Sequence, residues 1–287
     1  MKQIILTLTL IFSSAFLTIN AQAVKKNDKQ NWGVTGNVTS VHETWFNVVQ
    51  EGDQIIKGKK INDKFEIESK ATFDNNGNKI EDIRYDEAGN PTIKLTYTYD
   101  DKMNRTAENR YTLDGILLHQ TKFSYTYDDS GKITEMENLS EDIKVKGKTT
   151  YIYDVNGNLS EKSWTNQDGS KFEKSTFVCD DKGRITSETV YDSKGKIEWK
   201  YLYVLNENGK VIEETSLRDG TKFYCKYTYA YDERGNKTEM HWYKRPDKLS
   251  MSWTYKYDYD TNGNWTKQVQ YNGNKAISIT ERSIQYI

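Results

Sequence analysis

Residues 149–159 read Thr-Thr-Tyr-Ile-Tyr-Asp-Val-Asn-Gly-Asn-Leu, and residues 227–236 repeat the phrase as Tyr-Thr-Tyr-Ala-Tyr-Asp-Glu-Arg-Gly-Asn. Aromatics at alternate positions lie on one face of a β-strand. The Asp accepts a hydrogen bond from the backbone two residues on, which starts a turn, and the Gly supplies the positive φ that closes it. The phrase is therefore a strand running into a tight turn. Outward from it, the frame aromatic-Asp-x-x-Gly-Asn/Lys/Arg recurs at Tyr85–Asn90 and Tyr127–Lys132, with variants led by Phe73, Cys179, Tyr191, Leu205 and Tyr259. One series sets its glycine slot at Gly77, Gly131, Gly157, Gly183, Gly209, Gly235 and Gly263. Met103 fills the remaining slot, where Asn104 is expected to take the left-handed conformation instead. A second series lies between them, at Gly89, Gly115, Gly169, Gly195, Gly220 and Gly273. The unit is thus about 26 residues long and contains two turns, hence two strands.

Eight such units fill residues 65–287 and predict about 16 strands in an antiparallel meander of hairpins. Open twisted sheets beyond ~10 strands curl or fold over. The expected fold is all-β: a curved or spiralling extended sheet with an aromatic inner face. Residues 24–64 are expected to supply entry strands that cap the first repeat. Exposed terminal strands would permit edge-to-edge oligomers.

The composition agrees. Lys and Arg number 41 against 42 Asp and Glu, a net charge of -1, which excludes a basic nucleic-acid footprint and a polybasic membrane-surface helix. Mean hydropathy is -0.89 and hydrophobic residues are only 35%, too few for a large dry core. Aromatics at 13%, with 21 Tyr, argue against disorder. Met1-Lys2, an apolar run and Ala21-Gln22-Ala23 make residues 1–23 a secretory signal. The remainder is expected to be secreted, periplasmic or on the cell surface, with no membrane span. Cys179 and Cys225 fall four strands apart, nearly 20 Å at ~4.8 Å per strand, and are read as unpaired thiols.

The frame Tyr-x-Tyr-Asp-x-x-Gly-Asn/Lys/Arg, as in Tyr151–Asn158 and Tyr229–Asn236, resembles the YD-repeat or Rhs-repeat family. The resemblance covers about three quarters of the chain. It implies long spiralling β-sheets in an extracellular setting, and carbohydrate binding. The unit here is longer than the family's usual repeat, and delivery of a toxin domain is not expected.

Candidate chemistry is sparse. Asp258-x-Asp260-x-Asn262-Gly263 opens like a calcium loop, but Val269 stands where the bidentate carboxylate belongs, so no metal is expected. Glu213 and Glu214 are sequential and point to opposite faces of a strand, unlike a glycosidase pair. None of the three His lies near a nucleophile elbow. No cofactor and no catalysis are expected. The repeating Tyr residues are read as packing against each other, whereas Trp164, Trp199, Trp242 and Trp253, off the repeat frame, are the binding candidates. Trp265 takes the sheet slot of Ile185 and Val211. The leading expectation is an exported, non-enzymatic repeat protein whose aromatic surface meets a glycan or an envelope protein. A structural spacer without a small ligand, and a hydrolase seated in the longer loops, are the alternatives.

Overall fold

The computed structural model describes residues 27–52, 54–61, 68–140, 146–169 and 172–287. The signal read over residues 1–23 lies outside them. A short helix, α1 (Asp28–Asn31), precedes β1 (Val38–Glu51) and β2 (Gln54–Ile61). The repeats then give two strands each: β3 (Ser69–Phe73) and β4 (Lys79–Tyr85), β5 (Pro91–Tyr99) and β6 (Arg105–Tyr111), β7 (Leu117–Tyr127) and β8 (Ile133–Asn138). The series continues with β9 (Gly147–Tyr153) and β10 (Leu159–Asn166), β11 (Phe172–Cys179) and β12 (Ile185–Tyr191), β13 (Ile197–Leu205) and β14 (Val211–Arg218). Last come β15 (Lys222–Tyr231) and β16 (Lys237–Arg245), β17 (Lys248–Tyr259) and β18 (Trp265–Asn272), and the exit strand β19 (Lys275–Tyr286).

The sheet closes. β1 pairs antiparallel with β19, from Val38↔Tyr286 to Asn47↔Ser278. Its other edge pairs with β3, from Ser40↔Thr72 to Glu43↔Ser69, and farther along with β2. β1 and β3 to β19 thus make an 18-stranded antiparallel barrel, with β2 as an accessory hairpin strand. The expected open, curved or spiralling sheet is incorrect. The entry strand β1 pairs with the first repeat strand β3 and, on its other edge, with the exit strand β19. Curvature comes from the repeat itself: each of the eight hairpins has a register shift just before its Asp turn, such as Thr98/Tyr99, Ala230/Tyr231 and Asp258/Tyr259. A bulge bends its strand and increases the local twist, and eight of them roll the ribbon shut. At ~4.8 Å per strand and a tilt of about 40°, the backbone cylinder is about 35 Å across.

Register fixes the faces. The alternating aromatics Tyr97 and Tyr99, Tyr151 and Tyr153, Tyr227 to Tyr231 and Tyr255 to Tyr259 point inward; Thr, Ser and Lys of the opposite parity point out. Lys122, Lys148, Lys174, Lys200 and Lys226 stand on the outer wall at one 26-residue step after another. Most inward rings stay half-buried rather than fused into a core. Among the described residues, a buried apolar cluster is formed by Val34, Val38, Val41, Ala71 and Phe73, with Trp32 packed on it. It arises because the segment after α1 tucks into one mouth of the barrel. Lys29 donates its backbone N–H to the Gly77 carbonyl at 2.8 Å, and Thr35 donates to Asn264 Oδ1 at 2.8 Å.

That mouth is ringed by the first turn series. Asp Oδ1 accepts the backbone N–H of the residues two and four on, as Asp154 does from Asn156 and Asn158. The tyrosine before the Asp then fastens the turn to the preceding unit. Tyr99, Tyr153 and Tyr231 donate their hydroxyls to the carbonyls of Lys79, Ile133 and Val211, each 20 residues back, at 2.8 Å. Tyr127 and Tyr259 reach the turn carboxylates Asp100 and Asp232 instead, at 3.1 and 2.6 Å. Cys179 fills the same slot, with Sγ 3.9 Å from the Leu159 carbonyl. Met103 itself adopts φ +60°, so the left-handed position is not handed to Asn104, whose amide bonds Asp100 and Tyr127.

Candidate functional site

The four off-frame tryptophans all face the lumen, near the mouth opposite the clipped turns. On β10, Trp164 lies in register with Thr149 and Glu173. Trp199 lies between Val190 and Arg218, Trp242 between Tyr227 and Met251, and Trp253 between Met240 and Asn272. Trp242 and Trp253 are on neighbouring strands. Trp164 and Trp199 stand on β10 and β13, so about 14 Å of wall separates them, and a similar arc separates Trp199 from Trp242. The arrangement is a spread aromatic arc rather than a single patch.

Its centre is β13 to β16. Trp199 stacks on Tyr201 at 6.3 Å and meets Tyr224 edge-on at 5.0 Å, with the Arg218 guanidinium 5.7 Å from its ring. Tyr227 and Tyr229 stack at 6.3 Å and 10°. Tyr203, Glu214, Tyr227, Trp242 and Met251 form one continuous inward rung. Glu214 is 7% exposed, and its Oε1 has no hydrogen-bond partner. Burial pushes its pKa up; Lys237 pulls it back and Glu188 adds to the rise. Burial likewise lowers Lys237, against the pull of Glu214. Glu188 accepts from Ser175 at 2.8 Å. Burial, then Glu188 and Glu214, push the Tyr201 hydroxyl up to about 12.

The sequence reading placed Glu213 and Glu214 on opposite faces, and they are so placed. Glu213 lies on the outer wall and Glu214 inside. The signal was its register opposite Tyr203 and Tyr227, which an unpaired strand does not reveal. Both cysteines are free: Cys225 is buried on the inner wall, and burial raises its thiol. The calcium-like turn spends its oxygens internally. Asp260 accepts from Asn262 and Asn264 through Oδ1 and from the Tyr286 hydroxyl through Oδ2. Among the described residues no cluster of His, Cys, Asp and Glu has metal-site geometry.

No protein-family model matches the chain, and no curated protein matches it. The YD resemblance therefore rests on the repeated motif alone. Solved structures with some likeness include a porin-like protein from Bacteroides uniformis ATCC 8492, 12% identical, covering 88% of this chain and 98% of that one, with a TM-score of 0.41. A second porin-like protein, from Bacteroides vulgatus ATCC 8482, is 11% identical over 86% of this chain and 98% of that one, with a TM-score of 0.36. The Photorhabdus luminescens Tc holotoxin pore is 13% identical over 80% of this chain, with a TM-score of 0.35, and the chain spans only 14% of its length. At these scores neither likeness decides the function. No helix among the described residues is long and apolar enough to cross a membrane.

Proposed function

We propose that the chain is an exported, non-enzymatic barrel that binds a glycan along the aromatic arc of its lumen, at the cell envelope or outside the cell. The observation that carries this reading is that Trp164, Trp199, Trp242 and Trp253 all lie on the inner wall near the same mouth, spread along one arc. Tyr153, Tyr231 and Tyr259, the tyrosines just before the turn Asp, have their hydroxyls committed to clipping turns, whereas no turn of the repeat requires these indoles. Flat rings meet the apolar faces of sugars, and Glu188 and Glu214 offer acceptors for sugar hydroxyls beside them. No metal or cofactor takes part.

Affinity electrophoresis in gels cast with soluble polysaccharides tests this. Wild-type protein is expected to be retarded, and Trp199→Ala or Trp242→Ala to lose retardation while keeping the β-sheet circular-dichroism spectrum. Unchanged retardation in both variants, or none in the wild type, would leave the barrel as a spacer whose tyrosines only hold it together. Turnover of glycosides abolished by Glu214→Gln would replace binding with hydrolysis.

A further inference from the structure

We propose that the mouth opposite the clipped turns seats the barrel end-on against an anionic lipid surface. Three layers of residues at that mouth carry the inference, and of them only Arg218 also borders the lumenal glycan site.

The outermost layer is apolar. Leu113, Ile116, Leu117 and Leu118, in and after the β6–β7 turn, are 49–59% exposed. Leu139 after β8, Phe172 at the start of β11 and Leu249 at the start of β17 continue the ring, and Val49 and Ile56 add the β1–β2 hairpin. Water-exposed apolar side chains gathered at one end of a monomer mark a contact surface. Their disposition decides its shape: they are spaced round a circle about 35 Å across. A flat partner touches all of them at once, whereas a protein partner is met by one contiguous patch.

Charge supplies the second layer. The four turns at 192–196, 218–222, 244–248 and 272–275 carry eight Lys and Arg against three Asp. Lys222, Lys244, Arg245 and Lys248 are all exposed. The eight turns of the clipped mouth carry twelve carboxylates against six Lys and Arg. The other described turns of that mouth, at 86–90, 112–116 and 166–169, add Asp86, Glu87, Asp114 and Asp168 with no Lys or Arg, so the positive charge is confined to the arc from β12 to β19, and that arc is the side turned toward an anionic surface.

A collar of outward tyrosines forms the third layer. Tyr111, Tyr191, Tyr243 and Tyr271 lie at or near the ends of their strands, just inside these turns. Each lies under an ammonium: Lys94 at 5.8 Å, Lys174 at 5.9 Å, Lys226 at 4.9 Å and Lys256 at 5.1 Å. Tyrosine with a flanking cation suits headgroup depth. Below the collar the outer wall is mainly Lys, Thr, Ser and Glu, with exposed Ile152, Val178, Leu202 and Val204 scattered among them rather than forming a continuous apolar belt, so insertion stops at the collar.

Sedimentation with vesicles tests the inference. Wild-type barrel is expected to pellet with phosphatidylglycerol–phosphatidylcholine vesicles, weakly with phosphatidylcholine alone, and less as salt rises. L117D/L118D and K244E/K248E are each expected to lower the partition coefficient by about tenfold or more. V155D, at the clipped mouth, is expected to bind as wild type. Wild-type failure to pellet with anionic vesicles, or undiminished binding by both rim variants, overturns the proposal. Capture by immobilised polyglutamate without any vesicle binding overturns it in favour of an acidic protein.

Discussion

Cys179 stands where three other units place a clipping tyrosine, and its thiol reaches the Leu159 carbonyl only at 3.9 Å. Cys179→Tyr is expected to restore the hydroxyl-to-carbonyl bond made by Tyr153 and Tyr231, a gain of about 0.5–1.5 kcal/mol, read as a higher denaturant midpoint. Met103 is a second local fault. A side chain at φ +60° is disfavoured by about 1–2 kcal/mol, and Gly occupies the equivalent slot at Gly131 and Gly157 with φ near +80°. Met103→Gly is expected to raise the midpoint by about 1 kcal/mol, measured by the same titration. The turns were legible because Asp and Gly act within five residues. The target of each tyrosine hydroxyl was not, since it lies 20 residues away, across a neighbouring hairpin.

At the scale of elements, the seam between β1 and β19 decides whether there is a barrel. Arg282 donates to Glu43 at 2.6 Å across it, with side chains only 9% and 12% exposed. The same guanidinium donates to the Trp32 carbonyl and lies 3.5 Å from the centre of the Trp265 ring. Removing it leaves Glu43 buried and uncompensated. Arg282→Ala is expected to destabilise the fold by about 3–5 kcal/mol, whereas Glu43→Leu with Arg282→Met recovers most of the loss. Equal destabilisation by the single and double variants would show that the pair is not the seam's fastening. The seam could not be read from the chain: Val38–Asn47 and Ser278–Tyr286 are separated by the entire repeat array, and neither carries its motif. Strand alternation was legible throughout, so the inward set followed once closure was known; Glu214 and Arg218 became visible only through register.

For the whole molecule, the inner wall makes alkali the natural denaturant. Burial raises the hydroxyls of Tyr125, Tyr151, Tyr255 and Tyr257 to about 12, from an ordinary 10.0. The unfolded chain releases these protons from about pH 10, and the folded wall holds them until about 12. Stability is therefore intact below pH 10 and drains away as pH climbs to 12. Tyrosinate absorbance is expected to rise late and steeply, together with loss of β-sheet dichroism. A gradual rise centred near 10 with the sheet intact would place these rings in open water. Each repeat contributes a pair of strands, so gaining or losing one unit preserves the even parity that lets the first and last strands meet antiparallel. It changes the perimeter by two strands, or roughly 4 Å of diameter. Duplication of one 26-residue segment is thus a gauge for the bore, able to widen or narrow the passage while every existing turn and clip is reused.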